Sequence, residues 1–274
     1  LVPLVDLLKT EQNPPVRDAV ASALGAFDGA ILVKQAPLKD LALNGSDEQK
    51  RAVVAIFKKA GTEPGVRFLV EHFVHKGDVA VRRETASALK KHKKLAIKPL
   101  VEFFRKSGSR PDIQVDIIKY VGISGEAKTG GAFLVALLEF KDVQNTVLQA
   151  VRKLDRPAVP ALIEKGIAGG AQRTRMWAAW LLRGITNQTI SSSNGAEWGK
   201  WWQLNKKAVE AEEAKWDKAD EACDWLVDDL DWSEYDDNVV GYYGYGYWYW
   251  PWRYQSSRGR LRGAGSMQNF RIQG

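Results

Sequence analysis

The chain contains 274 residues, of which 45% are hydrophobic and 27% charged, and its formal net charge is +7. This length suffices for one large domain or two small ones, and no apolar run reaches the roughly 20 residues that a membrane span requires. The single cysteine, Cys223, excludes a disulfide framework, and a total of three histidines excludes most metalloenzyme sites. These limits favour a binding or structural protein without a cofactor over an enzyme.

Residues 1–186 are organised as a repeat. The segment 16–24 recurs as 81–89, and a self-similar period of this kind indicates a stacked architecture. Weaker copies begin at residues 49, 113, 143 and 172. Every copy has apolar residues at positions i, i+1 and i+4, which predicts one buried stripe on a helix. A second apolar stretch precedes each copy, and in four copies a proline lies near its start: Pro3, Pro37, Pro99 and Pro160. The pattern predicts helical hairpins, each too small to bury its own apolar face and therefore covered by its neighbours.

The first copy resembles a known repeat. The motif Leu-Val-x-Leu-Leu at residues 4–8, followed by a turn and the Val-Arg-led segment 16–25, is similar to a HEAT repeat of the short bacterial type, such as those of phycobilin lyase subunits. This resemblance implies an all-α fold, a right-handed superhelical solenoid of about six HEAT/ARM-like hairpins. HEAT arrays host scaffolds, transport receptors, lyases and DNA-binding enzymes alike, so the resemblance does not decide the function.

One position of the repeat is polar and mostly basic. It is occupied by Arg17, Lys50, Arg82, Gln114, Gln144 and Arg173. Either this row binds an acidic peptide or nucleic-acid phosphates, or its side chains hydrogen-bond neighbouring repeats, and we favour the second interpretation. Further basic residues make repeats two and three the most positive part of the array. The candidate partner-binding residues of this basic face are Arg51, Arg82, Arg83, Lys90 and Lys91.

Three residue types that often carry chemistry have structural interpretations here. His72 and His75 lie one helical turn apart, but the sequence does not supply the further donors that a zinc site needs, so we predict no metal site. Trp177 and Trp180 occupy columns that are apolar in every earlier copy, which predicts an enlarged core in the last repeat. Cys223 lies among acidic residues, which disfavour the reactive thiolate. No catalytic residue is predicted.

The composition changes after residue 186. We predict a linker at 187–195, an acidic Trp-rich helical segment at 196–232 and a docking tail at 233–274. Residues 206–237 carry a net charge of −9 and residues 238–274 carry +5, which leaves +11 on residues 1–205. The Trp-x-x-Trp-Trp motif that begins at Trp198 is similar to a segment at the end of many HEAT-repeat proteins of planctomycete-type bacteria, which implies that it folds back onto the last repeats. The charge of the acidic segment allows it to lie along the basic array of its own chain or of a neighbour.

The C-terminal tail is an extended aromatic, glycine and arginine sequence. A tract of this composition has little core of its own, so we expect it to order on a surface, either that of its own repeats or that of a partner subunit. The partner is the favoured interpretation, because Tyr, Trp and Arg dominate protein–protein hot spots. The candidate partner-binding residues of the tail are Tyr243, Tyr245, Tyr247, Trp248, Trp250, Trp252, Arg253, Arg258, Arg260 and Arg262.

Two functions are compatible with these features. The first is a non-catalytic scaffold whose solenoid surface and C-terminal arm contact protein subunits of a filament, tubule or multi-subunit enzyme, with self-association included. The second is nucleic-acid binding through the basic face and the Arg-Gly tail, against which stands the acidic segment. An accessory, lyase-like subunit ranks last. We expect a soluble protein, either cytoplasmic or, if an export signal was removed ahead of Leu1, in a periplasmic or organelle-like lumen.

Overall fold

The structure is a computed structural model that describes residues 1–108, 110–124, 126–191 and 194–221, and these residues form one all-α unit without a strand. The predicted all-α class is confirmed. The α-helices are α1 (Val2–Thr10), α2 (Pro14–Leu24), α3 (Gly29–Leu32), α4 (Ala36–Asn44), α5 (Asp47–Ala60), α6 (Glu63–Phe73), α7 (Val79–Lys91), α8 (Lys93–Lys106), α9 (Pro111–Ser124), α10 (Ala132–Leu137), α11 (Gln144–Leu154), α12 (Val159–Ala161), α13 (Gln172–Thr186) and α14 (Gly195–Glu221). Tighter 3₁₀ turns lie at Lys141–Val143 and Arg156–Ala158, and wider π-helical turns at Ala127–Gly131 and Leu162–Ile167.

Local sequence signals begin and end several of these helices. Before α5, the Ser46 hydroxyl accepts a hydrogen bond from the backbone N–H of Gln49, and the Gln49 side chain accepts one from the N–H of Ser46, which satisfies two donors that the helix leaves unpaired. Before α7, the Asp78 carboxylate accepts from the N–H of Val81. α5 ends at Gly61, whose φ of 59° is in the left-handed region that glycine tolerates best.

The helices that carry the repeated motif pack side by side. In this series, which we call the second layer, α2 packs on α5, α5 on α7, α7 on α9, α9 on α11 and α11 on α13. The alternating helices form a first layer, in which α1 packs on α4, α4 on α6 and α6 on α8. Farther along the chain, Leu162–Ile167 packs on α10 and also on α14. Each described helix therefore contacts mainly its neighbours in the repeat.

The apolar stripe predicted from the repeat is buried in the middle of the series and becomes partly exposed at both ends. Val53, Ile117 and Val147, which occupy one column, are all buried. In the first copy Ala23 is exposed, and in the last copy Met176 is 48% exposed. Terminal positions of a stacked array have a neighbour on one side only, and these two residues lie on the first and last helices of the described second layer.

One helix begins earlier than its proline indicates. Sequence reasoning places Pro99 near the start of the first-layer helix of its repeat, whereas α8 begins at Lys93 and contains Pro99 in its interior. The ring of Pro99 removes the hydrogen bond to the carbonyl of Leu95, four residues earlier. Leu95 is itself exposed, and the helix continues through the proline.

Candidate partner-binding face

The polar row of the repeat bonds to the loops that precede its helices. Arg17 donates from Nε and Nη2 to the carbonyl of Glu11, both at 3.3 Å. Gln114 donates to the carbonyl of Gly108 at 2.6 Å, and Gln144 donates to the carbonyl of Leu138 at 3.1 Å. In all three cases the acceptor lies six residues before the donor. These three bonds lie within a repeat, whereas the favoured interpretation expected bonds to neighbouring repeats; they hold the inter-helical turn in place.

The same row also joins consecutive repeats. The Nη2 atom of Arg173 donates to Oε1 of Gln144 at 2.6 Å, so Gln144 bonds within its own repeat and to the next one. Arg82 is half-buried, and its backbone carbonyl accepts from the Tyr120 hydroxyl at 3.4 Å. Among the predicted binding residues, Arg82 therefore belongs to the packed part of the repeat rather than to the open surface.

Three other residues predicted for the basic face, Arg51, Arg83 and Lys91, are exposed, and Lys90 is half-buried. Arg51 lies on α5, and Arg83 and Lys91 lie on the adjacent helix α7. Arg51 and Arg83 occupy equivalent repeat positions, so the packing of α5 on α7 brings them to the same side of the second layer. The structure thus places part of the predicted set on one surface.

Lysines near the ends of these helices tie the second-layer helices together. Lys59 of α5 donates from Nζ to the backbone carbonyl and the hydroxyl of Ser22 in the preceding repeat, at 2.8 and 2.7 Å. Lys58 donates to the hydroxyl of Ser87 in the following repeat at 2.6 Å and lies 3.9 Å from Glu84. Sequence reasoning treated the lysines of these repeats only as a source of positive charge and missed these hydrogen bonds, although Ser22 and Ser87 occupy the same position of the repeat.

The three histidines have different surroundings. Both ring nitrogens of His75 face carboxylates of α9: Nδ1 lies 2.7 Å from Asp116 and Nε2 lies 3.1 Å from Asp112. His72 packs on the ring of Phe68, and burial lowers the pKa of its imidazole. His92 bonds through Nε2 to the backbone carbonyl of Lys58 at 2.7 Å. In the described part of the chain, no group of three or more His, Cys, Asp or Glu residues is arranged to hold a metal ion.

Charged and polar groups are buried in α9, where the sequence suggests an ordinary amphipathic helix. Asp116 and Lys119 are each 6% exposed, and Nζ of Lys119 lies 4.0 Å from Oδ1 of Asp116. Burial lowers the pKa of Lys119, and the nearby Asp116 carboxylate opposes that shift. Tyr120 is fully buried, and burial raises the pKa of its phenol. The sequence offered one indication of this burial: Lys119 occupies a repeat position that the small residues Ser22, Ala55 and Ser87 fill in the earlier copies.

The two tryptophans of the last repeat are half-buried, so the prediction that they form an enlarged core is only partly met. Their rings meet edge to face with centroids 5.7 Å apart, and the guanidinium of Arg152 lies 4.2 Å from the ring centroid of Trp180. No second-layer helix follows α13 in the described residues, so one side of this pair is not covered by a further repeat.

Helix α14 packs on the last first-layer segment through its own tryptophans. Trp198, Trp201 and Trp202 are buried, and the first two meet edge to face with centroids 6.0 Å apart. Leu204 of the same helix is 83% exposed. The helix contacts both Arg156–Ala158 and Leu162–Ile167. The predicted tail residues from Tyr243 onward lie outside the described residues.

No protein-family model and no curated protein matches this chain. Among the described helices, none has the length and hydropathy needed to cross a membrane.

Proposed function

We propose that this protein is a non-catalytic scaffold subunit, built as a right-handed HEAT-type solenoid of about six hairpins, that joins protein subunits in a larger assembly such as a filament, tubule or multi-subunit enzyme. The observation that carries the proposal is the serial packing of α2, α5, α7, α9, α11 and α13, each on the next. Such packing presents equivalent positions of successive repeats on one continuous side, which suits an extended protein interface.

The second element of the proposal is the C-terminal arm. Residues 238–274 combine five arginines with a dense run of Tyr and Trp and contain no acidic residue. Tyr, Trp and Arg are enriched among the few residues that contribute most to binding at protein interfaces. The arm is proposed to bind a partner subunit, while the repeats give it a rigid support.

Deletion of residues 238–274 tests this function. We expect the deleted chain to keep the helical circular-dichroism spectrum of the full chain but to lose its place in the native particle, as measured by native mass and by the chains that co-purify. A matched control is the full-length chain in which Arg258, Arg260 and Arg262 become lysine, which preserves charge and length. Normal assembly by the deleted chain would refute the docking role of the arm.

A second candidate, nucleic-acid binding, is supported by one observation, the exposure of Arg83 and Lys91 on α7 and of Lys94 on α8. Phosphate contacts by such side chains release counterions, so the affinity would fall steeply as salt rises. Binding of duplex and single-stranded nucleic acid at two salt concentrations tests this candidate. Absence of binding at low salt would eliminate it.

A further inference from the structure

Four exposed basic residues on α5 and α7 outline a rectangle, and the ammonium of one of them, Lys59, also donates to Ser22 of α2. Arg51 and Lys59 are eight residues apart on α5, and Arg83 and Lys91 are eight residues apart on α7. Eight residues of α-helix span about 12 Å, and packed helices lie about 8–10 Å apart. Between the corners lie two small residues, the exposed Ala55 and the largely buried Ser87. We call this surface the basic rectangle.

Carboxylates near the basic rectangle reduce its charge without cancelling it. Glu48 lies 3.7 Å from Arg51, and Glu84 lies 3.9 Å from Lys58. Exposed ion pairs of this length contribute little energy and are easily exchanged. Arg83 and Lys91 are both exposed on α7, which keeps that side of the surface positive.

The chain itself contains a segment of the opposite charge. Residues 220–237 hold nine Asp and Glu residues and no basic residue. Three of these acids are Asp228, Asp231 and Glu234. Charge complementarity of this kind steers association between surfaces and favours the matching partner.

The position of α14 favours a second copy of the chain as the source of this segment. α14 packs on Arg156–Ala158 and Leu162–Ile167, which belong to the first layer and to the last repeats. The basic rectangle lies on second-layer helices of repeats two and three. We propose that the acidic segment 220–237 of one copy binds the basic rectangle of another copy. This inference rests on the proposed scaffold function and names the chain itself as one of the partners.

The contact so defined joins two different surfaces of identical subunits. A heterologous contact of this kind leaves one free acidic segment and one free basic rectangle at the ends of every oligomer, so it extends into a chain unless the rotation closes a ring. Electrostatic pairing also makes the association sensitive to salt, because the Debye length shrinks as ionic strength rises.

A charge exchange between full-length chains tests the inference. The first variant carries Arg51→Glu, Arg83→Glu and Lys91→Glu, and the second carries Asp228→Lys, Asp231→Lys and Glu234→Lys. We expect the wild-type mass in sedimentation to grow with concentration at low salt and the association constant to fall roughly tenfold or more between about 50 and 300 mM salt. Each variant alone stays monomeric, and an equimolar mixture associates again, because each reversed surface then meets a reversed segment.

A control variant carries the same charge change on exposed lysines outside the basic rectangle: Lys34→Glu, Lys39→Glu and Lys165→Glu. It should associate like the wild type, and circular dichroism should show all variants folded. Wild-type protein that stays monomeric at every concentration, or a mixture that stays monomeric, overturns the inference. Nucleic-acid binding that only the first variant loses would give this surface to another class of partner and also overturn it.

The deletion of 238–274 leaves the acidic segment in place, so the two proposals fail separately. Loss of assembly on deletion together with normal association of both charge variants would keep the docking arm and remove the basic rectangle as the partner surface of the acidic segment.

Discussion

Gln144 shows how a single side chain joins two repeats. Its amide group donates to the carbonyl of Leu138 in its own repeat and accepts from Arg173 in the next. Replacement by alanine leaves a buried carbonyl and a guanidinium without these partners, and leaving such groups unsatisfied costs about 1–3 kcal/mol. We expect Gln144→Ala to lower the free energy of unfolding in urea by that amount.

The control for this prediction is Gln149→Ala in the same helix. Gln149 is half-buried, and its side chain makes no hydrogen bond to the described residues, so its replacement should change stability by less than about 0.5 kcal/mol. Equal effects of the two substitutions would show that the hydrogen bonds of the row do not hold the repeats together.

Tyr120 gives a pH dependence at the scale of one residue. Burial raises the pKa of its phenol, so the folded state keeps the proton at a pH where the unfolded chain, with a pKa near 10, releases it. The unfolded state then binds fewer protons, and stability decreases as pH rises above about 10, by up to about 1.4 kcal/mol per pH unit for this group. Below that pH the tyrosine makes no pH-dependent contribution.

Two measurements check this behaviour. The free energy of unfolding of Tyr120→Phe should fall less steeply between pH 10 and 11 than that of the wild type. The difference between the tyrosinate absorbance titrations of the two proteins should show no ionisation of Tyr120 near pH 10 while the chain remains folded. A difference curve with its midpoint at pH 10 would contradict the burial of the phenol.

The contact between α9 and α11 depends on a glycine. A Cβ atom built on Gly122 would lie 2.9 Å from both Cα and Cβ of Ala150, which is too close for the two helices to keep their positions. We expect Gly122→Ala to destabilise the protein by about 1–3 kcal/mol, even though alanine favours a helix by up to about 1 kcal/mol over glycine. Chemical denaturation measures the difference.

Gly184 of α13 provides the matched substitution. A Cβ at this position meets no atom within 4 Å, and the residue is exposed inside a helix. Here only helix propensity acts, so Gly184→Ala should stabilise the protein by up to about 1 kcal/mol. If both substitutions changed the free energy of unfolding in the same direction, contact between α9 and α11 would not be what determines the effect of the added Cβ.

The attachment of α14 depends on Trp198. This indole is fully buried, whereas Leu204 of the same helix is 83% exposed. Trp198→Ala removes a large buried side chain and should cost about 3–5 kcal/mol of local stability, while Leu204→Ala should change it by less than about 0.5 kcal/mol. Hydrogen exchange of the α14 amides is the direct measurement. Unchanged protection in Trp198→Ala would mean that other contacts hold the helix.

These elements also show what sequence reasoning can and cannot supply. The periodic apolar columns predicted the second-layer helices, because a stripe that is apolar in every copy has to be buried by its neighbours. The burial of Asp116 and Lys119 was missed, since it depends on how closely α9 and its neighbours pack and the sequence indicates it only through the repeat position of the lysine. The start of α8 at Lys93 was missed because proline is most common in the first turn of a helix, whereas α8 contains Pro99 in its interior.

For the basic face, the composition predicted where the positive charge lies but not which contacts the basic side chains make. The sequence indicated an excess of basic residues in repeats two and three, and Arg51, Arg83 and Lys91 are exposed there. Which lysines bond to neighbouring helices, as Lys58 and Lys59 do, follows from the side-by-side packing of α2, α5 and α7. The sequence of a single repeat does not show which side chains meet across two packed helices.

At the scale of the whole described array, burial is uneven along the second layer. In α2, Ser22 and Ala23 are exposed, whereas every residue of α9 from Asp116 to Ser124 is buried. A stack in which repeats contact mainly their neighbours is stabilised by nearest-neighbour interfaces, so its terminal helices open at lower free energy than its central ones. The array should therefore lack uniform cooperativity.

Native-state hydrogen exchange measures this directly. We expect the slowest amides of α9 and α11 to exchange at least about tenfold more slowly than those of α1 and α2, because opening the centre breaks interfaces on two sides. Gly122→Ala should reduce that difference, because it should increase the amide exchange rates of α9 and α11 while leaving those of α1 and α2 nearly unchanged. Equal exchange rates along the series would instead mean that the repeats unfold as one unit, since a global transition exposes all amides with the same free energy.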